Sequence, residues 1–128
     1  MKRHAALLER SREHHIALKM ARRARFACDA GLQAAIADAA KSITEAFHEH
    51  IEIHFQAEER DLLPALAAVG EEELVRRTLE EHAELRRLNA ALAEPDGDTL
   101  ARFASLLNDH VRFEERELFE VAQQRLYP

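Results

Sequence analysis

The chain contains the same seven-residue pattern twice, since residues 54–60 read HFQAEER and residues 110–116 read HVRFEER. Both copies follow H-x-x-x-E-E-R. Residues four apart lie above one another on one face of a helix, so each copy points an imidazole and a carboxylate the same way. The pairs are His54 with Glu58 and His110 with Glu114. Two such helices, facing each other, would bring two histidines and two glutamates to one interior site, which is ligand chemistry typical of a metal pair.

A single match to H-x-x-x-E is a weak signal, because a chain with 8 histidines yields about one by chance. His48 and Glu52 form a third match that lies outside any apolar stripe, and we expect it to be solvated. The two repeated copies, in contrast, lie within apolar stripes; Phe103 and Leu107, for example, lie on the same helix face as His110. Ionisable groups inside an apolar stripe cost free energy unless a charge meets them, which favours a functional interpretation of these two copies.

Composition predicts an all-α protein. The 128 residues are enough for one domain, residues 1–128, with a core of its own. Only 3 Gly and 3 Pro are present and Trp is absent, which favours long helices over sheets.

Turn residues divide the chain into four amphipathic helices. The stop signals are Asp29-Ala30-Gly31, Val69-Gly70 and Pro95-Asp96-Gly97-Asp98. We expect helices at about Arg3–Cys28, at Leu32–Ala68, from Glu71 to the turn at Pro95, and from a cap at Asp98 or Thr99 to Leu126. Pro64 predicts a kink or an early end in the second helix. Short connections between such helices predict an antiparallel up-down-up-down four-helix bundle.

Charge and cysteine content exclude several function classes. The formal net charge of −6 argues against nucleic acid as a partner. Cys28 is the one cysteine, so the chain has no internal disulfide, and a reducing cytoplasm is the natural setting. No apolar run approaches the length of a membrane span, and the charged N-terminus lacks a signal-peptide pattern. We therefore expect a cytoplasmic protein without a membrane partner.

Two further histidines extend the repeated motif. His14 and His82 lie on the apolar faces of the first and third helices, whereas His15 lies on a charged face. A lone histidine on an apolar face is usually a satisfied core residue. Here each of the four helices carries one, since His54 and His110 occupy the other two. In an antiparallel bundle their depths agree within roughly 8 Å, so we expect four histidines and two glutamates to converge at one level.

These motifs, in this order, resemble the hemerythrin-like (HHE) cation-binding family. The matching residues are Glu13-His14, His54-x-x-x-Glu58, Glu81-His82 and His110-x-x-x-Glu114. The likeness spans essentially the whole chain.

The resemblance implies a non-haem di-iron centre that binds or reacts with O2, peroxide or NO. Glu58 and Glu114 would be bridging carboxylates, together with an oxo or hydroxo bridge. His14 and His54 would belong to one iron, and His82 and His110 to the other. Zinc or manganese could occupy the same set of ligands.

The chain departs from the oxygen-carrying members of that family at two positions. Those members have a second histidine four residues after the third-helix ligand, where this chain has Arg86. They also tend to have an aspartate five residues after the last histidine, where this chain has Glu115. The likeness is therefore closer to the broader HHE branch, in which open coordination positions favour reactivity or sensing over reversible oxygen carriage. Whether the protein is an enzyme stays open.

Some residues near the motifs have more than one interpretation. His50 lies one turn before His54 and is a further ligand, an orienting partner of a ligand, or a partly exposed histidine. A second set of carboxylates flanks the predicted ligands: Glu13, Glu59, Glu81 and Glu115. The favoured interpretation of this set is salt bridging with arginines at the rim, and the alternative is support of the ligands.

Two other functions are compatible with a four-helix bundle. A ferritin-like ferroxidase needs two Glu-x-x-His elements, and Glu45 with His48 is the one match. A metal-free interaction module would use its histidines as titrating groups near neutral pH. It is disfavoured because six ionisable side chains in an apolar core are hard to stabilise without a cation.

Overall fold

The computed structural model describes residues 2–128, and these residues form four long helices and no strand. Helix α1 is Ala5–Ala30 and helix α3 is Glu72–Ala91. Helix α2 runs without a break through Gln33–Ala46, a π-helical turn at Phe47–Ile51, Glu52–Ala57, a second π turn at Glu58–Leu62, and Leu63–Ala68. Helix α4 consists of Gly97–Phe113, a π turn at Glu114–Leu118, and Phe119–Leu126. Each helix packs against the next, and α4 packs back on α1. The predicted four-helix bundle is confirmed.

The helix ends follow local capping chemistry. Gly31 ends α1 with φ +70°, a left-handed conformation that glycine adopts without strain, so the predicted stop is correct and α1 extends to Ala30. The cap predicted for α4 at Asp98 or Thr99 is wrong. Asp96 is the cap, because its extended backbone lets the carboxylate accept a 3.0 Å hydrogen bond from the amide of Thr99.

Pro64 does not end α2, which continues to Ala68. Proline lacks the N–H that would bond to a carbonyl one turn back. The π turn at Glu58–Leu62 directly precedes the segment Leu63–Ala68, in which Pro64 is the second residue. The register of hydrogen bonds therefore changes before the proline, and the predicted interruption takes the form of a π turn within a continuous helix.

The core consists of two apolar clusters, one toward each end of the bundle. The larger cluster includes Ala24, Phe47 and Phe103, and the smaller one includes Leu66 and Phe119. The level between them is where the predicted ligands lie along all four helices. Within residues 2–128, the helices lack the combination of length and apolar character needed to cross a membrane.

Candidate metal centre

Six buried polar side chains meet between the two apolar clusters. They are the six predicted from the sequence, with exposed fractions of 4% or less: His14, His54, Glu58, His82, His110 and Glu114. Within residues 2–128 their ligand atoms fall into two groups, in each of which the atoms lie within 4.8 Å of one another. One group adds His14 and His54 to the two glutamates, and the other adds His82 and His110 to the same two glutamates. The arrangement therefore consists of two adjacent four-residue groups with a shared pair of carboxylates.

The shared glutamates both stand at the start of a π turn. Glu58 opens the turn Glu58–Leu62, and Glu114 opens the turn Glu114–Leu118. Turns of this kind are rare and occur frequently at functional sites. Helix propensity does not predict these π turns. The repeated sequence does give a signal, because the π turn begins at the first glutamate in both copies of H-x-x-x-E-E-R. The same local structure thus places both carboxylates in the centre.

Each imidazole presents its Nε2 atom to one of these carboxylates. Nε2 of His14 and Nε2 of His110 lie 2.8 Å and 3.0 Å from the two oxygens of Glu114. Nε2 of His54 and Nε2 of His82 lie 3.2 Å and 3.1 Å from the two oxygens of Glu58. Each carboxylate therefore reaches one histidine from each group, as a bridging ligand must.

Several of these imidazole nitrogens and carboxylate oxygens make no hydrogen bond to any described residue. They are both side-chain oxygens of Glu58, Oε2 of Glu114, and Nε2 of His82 and His110. Buried polar atoms nearly always have a partner, and leaving one without a partner costs free energy. Here nitrogens and oxygens lie about one hydrogen-bond length apart without the directions that hydrogen bonds require. Convergence of this kind fits a bound cation better than a hydrogen-bonded polar core.

A second set of carboxylates holds the opposite nitrogen of every imidazole. We call Glu13, Glu59, Glu81 and Glu115 the carboxylate ring. Their contacts to Nδ1 are Glu13 with His54 at 2.8 Å, Glu59 with His82 at 2.7 Å, Glu81 with His110 at 2.7 Å, and Glu115 with His14 at 2.6 Å. Each glutamate belongs to one helix and contacts the histidine of the next, so the ring passes from α1 through α2, α3 and α4 back to α1. Contacts of this kind fix the orientation of a ligating imidazole.

Each member of the carboxylate ring also pairs with an arginine. The N–O distances are 2.8 Å for Arg10–Glu13, 2.9 Å for Arg86–Glu59, 3.1 Å for Arg77–Glu81 and 3.2 Å for Arg3–Glu115. The predicted rim salt bridges are therefore confirmed, and every ring glutamate also contacts a histidine, as the alternative interpretation requires. The sequence did not show the contact to the next helix, although each ring glutamate directly adjoins one of the six central residues.

The match to known families agrees with this geometry. The hemerythrin HHE cation-binding domain matches residues 6–122, which is most of the chain. The chain belongs to this family. The comparison with curated proteins and the comparison with solved structures each gave no match.

Aromatic rings cover two of the histidines in this HHE domain. The ring of Phe55 stacks on His82 with centroids 3.8 Å apart, and the ring of Phe119 stacks on His14 at 5.3 Å. Apolar rings at these positions exclude water and lower the local dielectric, which strengthens the electrostatic interactions inside.

Burial and charge act in opposite directions on these imidazoles. Burial lowers the pKa of His54, but Glu58 and Glu114 outweigh it and raise the pKa to about 11. Burial likewise lowers the pKa of His110, and the carboxylate of Glu114 is the main group that raises it to about 10. Burial raises the pKa of Glu114, yet the surrounding imidazoles, His110 foremost, hold it well below its usual value. The buried imidazoles and the carboxylate of Glu114 therefore stabilise each other's charged forms.

The remaining histidines of α2 lie outside the centre. The side chain of His50 is 48% exposed and belongs to neither group, so of its three interpretations the exposed one agrees with the structure. His48 is exposed, as expected. Arg86, at the position of the second histidine of oxygen carriers, extends over Phe55 and pairs with Glu52 and Glu59.

Proposed function

We propose that this HHE domain is a non-haem di-iron protein that binds or reacts with O2, peroxide or NO. The observation that carries the proposal is the sharing of Glu58 and Glu114 by two histidine pairs. In the proposal His14 and His54 hold one iron, His82 and His110 hold the other, and the two glutamates bridge them. The cation-binding family to which the chain belongs supports this assignment.

The donor set suits iron. Mixed imidazole and carboxylate ligation with open positions is typical of non-haem iron, although zinc or manganese accept the same donors. When bound, two irons would supply redox capacity and coordination positions for a small molecule. The chain's own residues orient the imidazoles through the carboxylate ring and keep bulk water out through Phe55 and Phe119. The proposal includes a cytoplasmic setting and no nucleic-acid or membrane partner, on the grounds of the single cysteine and the net charge of −6.

The two alternative functions have less support. A ferritin-like ferroxidase would need Glu-x-x-His elements in the core, but Glu45 and His48 are both exposed. A metal-free module would leave the oxygens of Glu58 buried without partners, which is costly. Arg86 favours sensing or chemical reaction over reversible oxygen carriage, because its guanidinium is held by two carboxylates in place of a further imidazole ligand.

Metal analysis with an ultraviolet–visible spectrum, on protein purified in air and again after reduction and re-oxygenation, tests the proposal. We expect about two irons per chain and near-ultraviolet absorption that reduction bleaches. A return of the oxidised spectrum on re-oxygenation would support redox sensing or peroxide chemistry. A new visible band that disappears under vacuum would instead establish reversible oxygen binding. A colourless protein that takes up no iron, even without air, would refute the di-iron assignment.

A further inference from the structure

A surface groove between α1 and α4 is lined by three arginines. Arg22 belongs to α1, and Arg112 and Arg116 belong to α4. The volume of the groove is about 490 Å³, within the range of roughly 300–1,000 Å³ that is typical of small-molecule pockets. Leu18 and Val111 also line it and supply apolar surface beside the arginines. The groove therefore combines positive charge with an apolar wall.

The three arginines differ from most others in the chain because no carboxylate pairs with them. Most arginines within residues 2–128 pair with an acidic side chain, as Arg3 does with Glu115 at 3.2 Å. Five arginines in the same range make no ion pair, hydrogen bond or ring contact: Arg12, Arg22, Arg23, Arg112 and Arg116. Three of these five line one groove, in a protein whose formal net charge is −6.

The carboxylate in the wall of the groove has partners of its own. Among the described residues that line the groove, Glu115 is the one acidic side chain. Its oxygens lie 2.6 Å from Nδ1 of His14, 2.8 Å from the hydroxyl of Ser11 and 3.2 Å from Arg3. Glu115 therefore does not neutralise the three arginines, which remain available to a ligand.

We propose that this groove binds a small organic phosphate, with the phosphate group at the arginines and the organic part against Leu18 and Val111. A guanidinium donates two parallel hydrogen bonds to phosphate oxygens. A phosphate group carries a charge of roughly −1.5 to −2 and three acceptor oxygens, which suits several arginines better than a carboxylate with two oxygens does. The groove does not include any of the six central residues, so the inference goes beyond the proposed function and does not depend on the metal.

A matched pair of substitutions on α1 tests the site. Arg22 and Arg23 are adjacent and exposed, and neither makes an ion pair within residues 2–128, but Arg23 lies outside this groove. Phenyl phosphate is the probe, titrated by calorimetry into the full chain without metal, so that none of it binds at a metal. Arg22→Glu should weaken its binding at least about tenfold, because a charge-assisted hydrogen bond is lost and a repulsion is added.

Arg23→Glu should change the affinity less than about twofold at roughly 0.15 M salt, which screens exposed charges outside the site. Equal losses in Arg22→Glu and Arg23→Glu would show that anions are attracted to the whole basic side of α1, and would overturn the proposal. Wild-type protein that binds no phenyl phosphate at millimolar concentration would overturn it as well.

The opposite wall of the groove supplies a second test. Arg112→Glu should weaken the binding of phenyl phosphate as Arg22→Glu does, because both arginines line the same groove. Arg102→Glu is the control on α4, since Arg102 is exposed, lies 3.9 Å from Glu84 and is outside this groove. Unchanged binding in Arg112→Glu would contradict a site formed by both helices.

A comparison of two probes tests the organic part of the ligand. Phenyl phosphate and inorganic phosphate are both largely dianions at about pH 8, but only phenyl phosphate has an apolar ring to cover Leu18 and Val111. Phenyl phosphate should therefore bind at least about fivefold more tightly to the wild-type protein. Equal affinities would refute the assignment to an organic phosphate.

Discussion

Oε1 of Glu13 lies 2.8 Å from Nδ1 of His54, although the two residues belong to different helices. Arg10 contacts both oxygens of the same carboxylate, with Nε 2.8 Å from Oε1 and Nη2 3.3 Å from Oε2. The contact leaves Nε2 of His54 directed at Glu58 and Glu114, at 3.2 Å and 3.5 Å. Three more contacts of this kind complete the carboxylate ring, so the same glutamates that orient the imidazoles also tie adjacent helices together.

Removal of one member of the carboxylate ring should weaken metal binding without loss of the fold. For Glu13→Ala we expect a 10- to 100-fold lower affinity, roughly the effect of losing a carboxylate that orients a ligating histidine. The metal affinity of Glu13→Gln should lie between those of the wild-type protein and Glu13→Ala. The amide oxygen of the glutamine still accepts a hydrogen bond from Nδ1 of His54 but carries no charge. Titration against a competing chelator measures the affinity.

Glu9 offers a matched control for this experiment, since it is an exposed glutamate on the same helix. Glu9→Ala should bind metal as the wild-type protein does. An unchanged affinity in Glu13→Ala would show that its contact with His54 does not support a ligand.

Loss of a shared carboxylate should abolish the metal pair. Glu58 belongs to both groups, so Glu58→Ala should reduce binding from about two metals per chain to at most one. Elemental analysis after gel filtration measures the ratio. Glu94→Ala changes an exposed glutamate just after α3 and should keep full stoichiometry. Two metals per chain in Glu58→Ala would contradict the bridging role.

The fold and the central residues were predictable because their signals are local and periodic. Gly31 ends α1 at the predicted stop signal. The position of one histidine on the apolar stripe of each helix predicted that the four histidines meet at one level of the bundle, where all four are buried. His14 is buried and its neighbour His15 is exposed, as helical periodicity requires.

The carboxylate ring and the π turn at Phe47–Ile51 were not predictable, for physical reasons. Contacts such as Glu59 with His82 depend on how two helices are rotated against each other, and a sequence repeat does not fix that rotation. The π turn at Phe47–Ile51 breaks the 3.6-residue periodicity that placed His50 on the face of His54. The capping role of Asp96 was missed because several acidic residues follow one another in that turn.

The metal-free protein should lose stability as the pH rises above neutral. The pKa of His54 is raised to about 11 in the folded state from 6.5, so its contribution is fully present below pH 6.5 and is lost as the pH rises toward 11. His110 behaves likewise, with a folded pKa of about 10. The free energy of unfolding should fall by at most about 1.4 kcal/mol per pH unit for each such proton, as urea unfolding between pH 7 and pH 10 can measure.

Metal-loaded protein serves as the control for this pH dependence. Metal ligation keeps the imidazoles neutral in the folded state. The free energy of unfolding of the metal-loaded protein should therefore change little between pH 7 and pH 10. Metal binding at pH 7 should in turn release one proton from each of His54 and His110, which calorimetry in buffers of different ionisation enthalpy detects. Binding without proton release would contradict the raised pKa values of the two histidines.

Arg86→Ala should destabilise the protein more than Arg87→Ala does. The side chain of Arg86 is 33% exposed, and its guanidinium pairs with both Glu52 and Glu59, of which Glu59 contacts His82. We expect the free energy of unfolding, measured with urea, to fall by about 1–2 kcal/mol, since partly buried, charge-assisted hydrogen bonds contribute more stability than exposed ion pairs do.

Arg87→Ala breaks one exposed pair with Glu84 and should cost well under about 1 kcal/mol. Arg86→Lys should recover only part of the loss, because a lysine cannot span both carboxylates in the geometry of a planar fork. Equal losses at the two arginines would show that Arg86 forms an ordinary surface ion pair and plays no part in holding His82.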